Sequence, residues 1–430
     1  MTVLLYIAGV LAIVVGLAAS IALHECGHMV PAKRFGVRVP QFFVGFGKTL
    51  WSVRRGETEY GVKAFPLGGY VKLVGMIPPA GDGSGPRSTS TFGRLISDAR
   101  EAEAALVQPG DEQRMFYRLP WWKKVIVMAG GPTVNLVISF VLFGAVFWLH
   151  GISETSTKVG SVADCVMAVK SGEQPRPCRA TDPVAPSRQA GLQRGDQIVA
   201  YDHTPITSYG QLQKLIRATP KQTVEIVVLR DGVRRTLTAT TQLNSLPASD
   251  GSTQSVKVGY LGITPQEHDV AKGPIYTLQQ MGDYTGQTVK ALGHMPARLW
   301  GVAKTVVGLQ HRDPNSPMSV VGVSRVAGEV ASDKQVDGGD RIAMVVTLLA
   351  GVNLFVGMFN FVPLLPLDGG HIAGALYEAL RRAFARLRRR PDPGHFDVAR
   401  LLPVAYVMAG VLLLMTVLLV WADIVAPIST

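Results

Sequence analysis

The chain has 430 residues, of which 47% are hydrophobic and only 17% charged, against about 25% charged in an ordinary globular protein. Mean hydropathy is +0.22 and net charge +12. Residues 4–23, 125–149, 342–362 and 401–422 contain no Asp, Glu, Lys or Arg, which excludes a purely soluble protein, a disordered chain and a fibrous repeat. Each stretch has the roughly 20 residues that carry a helix across a ~30 Å hydrocarbon layer. Four transmembrane helices are therefore expected. The basic residues are spread along the chain without a groove-like cluster or interleaved aromatics, so no nucleic-acid partner is expected.

The first helix, over residues 1–29, is expected to stay attached. Ala18-Ala19-Ser20 has the look of a signal-peptide cleavage site, but no Lys or Arg precedes the apolar run. At its far end stands His24-Glu25-Cys26-Gly27-His28, the H-E-x-x-H pattern. Positions i and i+4 share one helix face, so both imidazoles can converge on one zinc. Glu25 is rotated by about 100°, where its carboxylate can reach a metal-activated water without being a ligand. Ionisable groups abutting an apolar span are costly and are read as functional by default.

Residues 30–122 form a loop in which basic residues outnumber acidic ones. Alternation near Trp51 and across Glu59–Ala64 suggests strands, residues 77–91 read as a Pro/Gly/Ser-rich linker, and residues 92–105 have helical spacing. The second span covers 123–150. Residues 151–272 are domain-sized, with a β-rich core over 159–241. Within it lie a glycine-turned strand entry at Ala190–Val199, a helix over 208–218, and a hairpin around Asp231-Gly232. Cys165 and Cys178 fall in this domain, where a disulfide is chemically permitted and left open.

Residues 273–340 begin with an amphipathic segment, interrupted at Gly293 and Pro296, that lies on a membrane surface or packs on the β-rich module. The third span, together with the Pro/Gly-broken stretch that follows its apolar run, takes up 341–372, and the fourth covers 401–423, with a loop at 373–400 between them. Residues 363–400 hold seven Arg against four acids. The positive-inside rule places both shorter loops in the cytosol of a cell-membrane protein, and both termini and the 151–272 domain outside.

A catalytic zinc with one open position needs a third protein ligand. The third span runs in the same direction as the first, and just past it comes Asn360-Phe361-Val362-Pro363-Leu364-Leu365-Pro366-Leu367-Asp368-Gly369-Gly370-His371. Asp368 is the lone acid in this apolar, Pro/Gly-broken stretch, and such backbone is tolerated at membrane depth only inside protein or against a cavity. Asp368 is preferred as the ligand over His371, which is assigned a supporting place.

H-E-x-x-H on the first span with N-x-x-P-x-x-x-x-D-G on the third resembles the site-2 protease family of intramembrane zinc metalloproteases. The bacterial branch is echoed by Gly68-Gly69-Tyr70-Val71-Lys72, by Ala129-Gly130-Gly131-Pro132-Thr133-Val134-Asn135 with an extra Gly, and by Pro317–Gly322. The run A-G-L-x-x-G-D-x-I at residue 190 resembles a bacterial PDZ domain. The resemblance implies a multi-pass α-helical membrane protein with four transmembrane helices, a membrane-associated β-loop near residues 60–76, and an inserted α+β PDZ domain. It implies one Zn2+ per chain on His24, His28 and Asp368, and Glu25 as general base. Asn360 and the Gly68, Gly69 and Tyr70 loop would contact substrate, the loop by strand addition. Cys26 stands where an apolar residue is common and is expected to pack away from the metal. The implied partners are the lipid bilayer, single-span membrane proteins such as anti-sigma factors or signal-peptide remnants, and an upstream extracytoplasmic protease. The PDZ module would bind peptide ends or exclude bulky substrates. A catalytically silent membrane PDZ scaffold is the alternative from another class.

Overall fold

A computed structural model describes residues 2–79, 91–167, 177–247, 255–310, 312–313 and 316–428. Most of the expected 77–91 linker lies outside these. The chain divides into two compact units, Met1–His150 with Gly273–Thr430, and Gly151–Lys272.

The first unit begins with α1 (Thr2–Arg34), which ends on Lys33 and Arg34, cations suited to the negative end of the helix dipole. Strands β1 (Gln41–Arg55) and β2 (Thr58–Lys72) follow, joined at Gly56 (φ +61°). Both strands bend midway, at Gly45 and Gly47 (φ +93° and +86°) and at Gly68 (φ +108°), conformations that an L side chain rarely adopts. The bends lay residues 42–44 between residues 60–62 on one side and residues 69–71 on the other. No strand pairs with the outer side of residues 69–72 among the described residues. Helix α2 (Thr91–Ala104) is tied to the end of β2, because Glu103 Oε1 accepts from the Gly75 and Met76 amides at 2.6 and 2.9 Å. Then comes α3 (Trp121–Ala145), which closes in a π-turn at Val146–His150.

The second unit holds β3 (Ile152–Val162), α4 (Pro186–Gln189), β4 (Gln197–Tyr201), β5 (Thr204–Pro205), α5 (Tyr209–Ala218), β6 (Thr223–Arg230), β7 (Val233–Thr240), β8 (Gln242–Pro247), β9 (Ser255–Tyr260) and β10 (Ile263–Val270). The main sheet runs β10-β3-β4-β6-β7, with β5 on β4, and β8 and β9 pair separately. Alternate residues of β6 (Val224, Ile226, Val228) face inward onto Leu212 and Ile216 of α5, the period-2 and helical patterns of the sequence meeting in one core. Asp231-Gly232 makes the β6–β7 turn with both φ positive, and Ser208 caps α5 by accepting from the Gln211 amide. Asp196 of the A-G-L-x-x-G-D run is buried, held by Arg230 Nε and Nη2, each at 2.7 Å. Cys165 and Cys178 form a disulfide with Cα atoms 5.9 Å apart.

The chain returns to the first unit with α6 (Pro274–Gly293) and α7 (Met295–Val306), broken at His294. Both touch the long helices, since Trp148 Nε1 donates to Thr277 Oγ1 at 2.9 Å and Val302 packs with Leu419 and Ala422, whereas Ile275, Leu278, Val289 and Trp300 are exposed. Helix α8 (Val320–Ser332) crosses α1 closely on small residues: a Cβ on Gly328 would meet the Tyr6 ring at 2.7 Å. Then come α9 (Gly338–Asn360), α10 (Asp368–Leu387) and α11 (Leu402–Val425). Among the described residues, four helices are long and apolar enough to cross a membrane: Thr2–Arg34, Trp121–His150, Gly338–Asn360 and Val398–Val425. The third of these spans breaks off ahead of the Pro/Gly-rich stretch. It stops at Asn360, and a new helix begins at Asp368, because Pro363 and Pro366 cannot donate to a helical ladder.

Candidate metal centre

Near the end of α1, His24 and His28 stand one turn apart with rings edge to face, centroids 4.9 Å apart. Their Nε2 atoms are 3.2 Å apart. Asp368, the first residue of α10, brings Oδ2 to 3.3 Å from each Nε2. Tetrahedral ligands at zinc distances of 2.0–2.1 Å stand about 3.3 Å from one another. The donors thus form the triangular face that such a site requires, and His2Asp is a donor set that zinc accepts. His24 and His28 side chains are 12% and 6% exposed and Asp368 20%, so the triangle is approached from the carboxylate side.

Helix α3 aims the imidazoles. His28 Nδ1 donates to the Val127 carbonyl at 2.8 Å, and His24 Nδ1 donates to Asn135 Oδ1 at 3.3 Å. With both Nδ1 atoms protonated, the Nε2 lone pairs are left to converge. The helices meet backbone to backbone at Gly27 and Gly130: a Cβ on Gly27 would lie 2.5 Å from the Gly130 carbonyl oxygen. At Gly131 a Cβ would lie 2.7 Å from His24 Nε2 and from His28 Cε1. The extra glycine of the second-span motif therefore clears the space in front of the donors. Sequence reasoning noted this motif but assigned no role to Asn135. The Val127 carbonyl carries no side-chain signal at all.

Glu25 points to one side of the two histidines, toward the unpaired edge of β2. A Cβ on Gly69 would lie 3.1 Å from Glu25 Cγ, and the Val71 amide is directed at the Glu25 carboxylate. Tyr70 stacks on Phe43 at 5.6 Å and on Phe46 at 6.4 Å, and a Cβ on Gly68 would collide with the Phe46 ring. Gly68, Gly69 and Tyr70 are therefore gathered beside Glu25. Asn360 is half-buried at the last residue of α9, and its side chain makes no hydrogen bond among the described residues. His371 lies one turn into α10, outside the donor triangle. Cys26 is a free thiol that, with Leu23, Ala129 and Thr133, lines a shallow apolar groove of about 580 Å³ along the α1–α3 seam, away from the donors.

The sequence model described as Peptidase family M50 matches residues 12–390. The chain is 33% identical to the zinc metalloprotease Rip1 of Mycobacterium tuberculosis over 99% of both chains. It is equally identical to the Rip1 of Mycolicibacterium smegmatis over 98% of both. It is 26% identical to the metalloprotease MmpA of Caulobacter vibrioides over 85% of both.

Proposed function

The chain belongs to peptidase family M50, the site-2 proteases, and is a zinc metalloprotease of the membrane; we propose that His24, His28 and Asp368 hold its zinc and that Glu25 is the general base. The observation that carries this reading is the triangle of donors at tetrahedral spacing, with a carboxylate beside it facing a free strand edge. Bound zinc supplies Lewis acidity toward a peptide carbonyl and makes an adjacent water more acidic, to a pKa of about 7. Glu25 takes the proton from that water and passes it to the leaving amine.

The substrate is a single-span membrane protein whose helix has unwound, because a helical carbonyl is hydrogen-bonded and shielded. Residues 69–72 receive the unwound segment as an added strand, pairing its main chain and bringing it past Glu25. Asn360 binds substrate from the end of α9. The basic loops put the active site toward the cytosol, with both termini and the 151–272 unit outside. That unit is a PDZ module excluding substrates whose bulky outer domain remains, so an upstream extracytoplasmic protease acts first. Glu25→Gln should retain one zinc per chain and abolish cleavage of a co-expressed single-span substrate. Undiminished cleavage by that variant would sink the mechanism.

A further inference from the structure

The three proposed ligands come from helices distant in sequence, and each must be held to a few tenths of an ångström. The two histidines are fixed by α3, through Val127 and Asn135. Asp368 belongs to α10, whose first turn leans on the preceding turn of chain: a Cβ on Gly370 would lie 2.6 Å from the Leu365 amide. That contact seats the start of the helix. It does not by itself fix how far α10 slides or rotates along α3.

Ten residues into α10, about 15 Å along its axis, Glu378 is 1% exposed and meets Lys124 of α3, 7% exposed, at 2.7 Å. The same carboxylate accepts from the Phe396 amide at 3.1 Å and faces His395 Nδ1 at 3.4 Å and Arg382 Nη2 at 3.2 Å. Lys124 lies one turn before Val127, the residue whose carbonyl orients His28. A buried ion pair is a poor way to gain stability, since an apolar pair of equal volume serves as well or better. What it does supply is a single acceptable register, because sliding by one residue would leave the Lys124 ammonium buried without its carboxylate.

We propose that Lys124 and Glu378 are positioning residues, whose buried pair locks α10 against α3 and so sets where Asp368 stands relative to His24 and His28. The proposal rests on the zinc-ligand reading above. Neither residue touches the donors. Both act through the helices that carry them, and a shift of α10 along α3 by more than the ±0.2 Å that a metal site tolerates weakens metal binding.

Competition of purified, full-length protein with a zinc chelator tests the assignment, read beside thermal unfolding. Glu378→Gln should fold and weaken zinc at least tenfold. Lys124→Arg, which keeps the charge and the hydrogen bond, should stay within threefold of native. Native zinc affinity in folded Glu378→Gln overturns the proposal. If that variant does not fold, the apolar pair Lys124→Met with Glu378→Met decides. Weakened zinc in the folded double variant supports positioning, whereas native zinc, or failure of both variants to fold, overturns it in favour of a purely structural role. Asp368→Ala tests the ligand reading separately. If that variant folds without zinc, an unchanged Glu378→Gln result counts against positioning alone.

Discussion

Adding a single methyl group at Gly131 sets two effects of opposite sign against each other. Gly131 lies within α3, and replacing a mid-helix glycine by alanine ordinarily stabilises a helix by about 0.5–1 kcal/mol. Here the new Cβ would stand 2.7 Å from His24 Nε2 and from His28 Cε1, where ordinary contact begins at 3.4 Å. His28 Nε2 would be closer still, so the rings or the helix must retreat by more than about 0.7 Å, several times the ±0.2 Å that a metal site tolerates. Misplacement of that order costs about a hundredfold in rate, and displaced ligands lose zinc about 10- to 100-fold. Overpacking costs about 1–3 kcal/mol against that helical gain, so we expect Gly131→Ala to fold, melt no higher than the native protein, bind zinc at least tenfold more weakly, and cleave a single-span reporter about a hundredfold more slowly. Gly351→Ala, in α9 with nothing within 4 Å of the new methyl, is the control and should leave both quantities unchanged. Native zinc affinity and cleavage in Gly131→Ala would refute the claim that the donors converge in front of this glycine.

Asn135→Ala removes the acceptor from His24 Nδ1 and frees the ring to turn. Zinc affinity measured by chelator competition should fall 10- to 100-fold, and Asn135→Asp, which keeps an acceptor, should recover most of it. Glu378 gives a pH signature. Burial pushes its carboxyl up, but hydrogen bonds from His395, Lys124 and the Phe396 amide outweigh this and hold it at about 2, below its ordinary 4.5. A carboxylate depressed in the folded state contributes stability above the unfolded value and loses it as pH falls through the folded one. The melting temperature of the native protein should therefore drop between about pH 4.5 and 2 by more than that of Glu378→Gln, as followed by circular dichroism. Parallel curves would contradict the role given to this carboxylate.

The parts of the molecule legible in the sequence are those where one residue type or one period is enough. Four charge-free stretches announce four long helices, and the i, i+4 spacing of His24 and His28 needs only α1 to bring the imidazoles onto one face. Asp368 stands out because an acid in an apolar, proline-broken stretch is costly without a partner. The Asp231-Gly232 turn and the β6–β7 hairpin follow from local conformational preference. What depends on distant pairing was not legible. Lys124 and Glu378, 254 residues apart, look like ordinary charges at the ends of apolar segments until α10 is laid on α3. Pro363 and Pro366 mark a break after the third span, but only the fold shows that a separate helix starts at Asp368. Strand β10 escaped notice because its pattern is polar and its partner β3 lies a hundred residues earlier.

The seams around the donors also bear on how a substrate arrives. Between α1 and α3 the main chains touch at Gly27 and Gly130, and between α3 and α10 the Lys124–Glu378 pair is buried. Parting either seam would carry His24 and His28, or Asp368, away from its neighbours and dismantle the centre at the moment it is needed. The flank along residues 69–72 is different. Among the described residues its outer side has no strand partner, and none of the three donors rides on it, so a shift of the hairpin leaves the triangle whole.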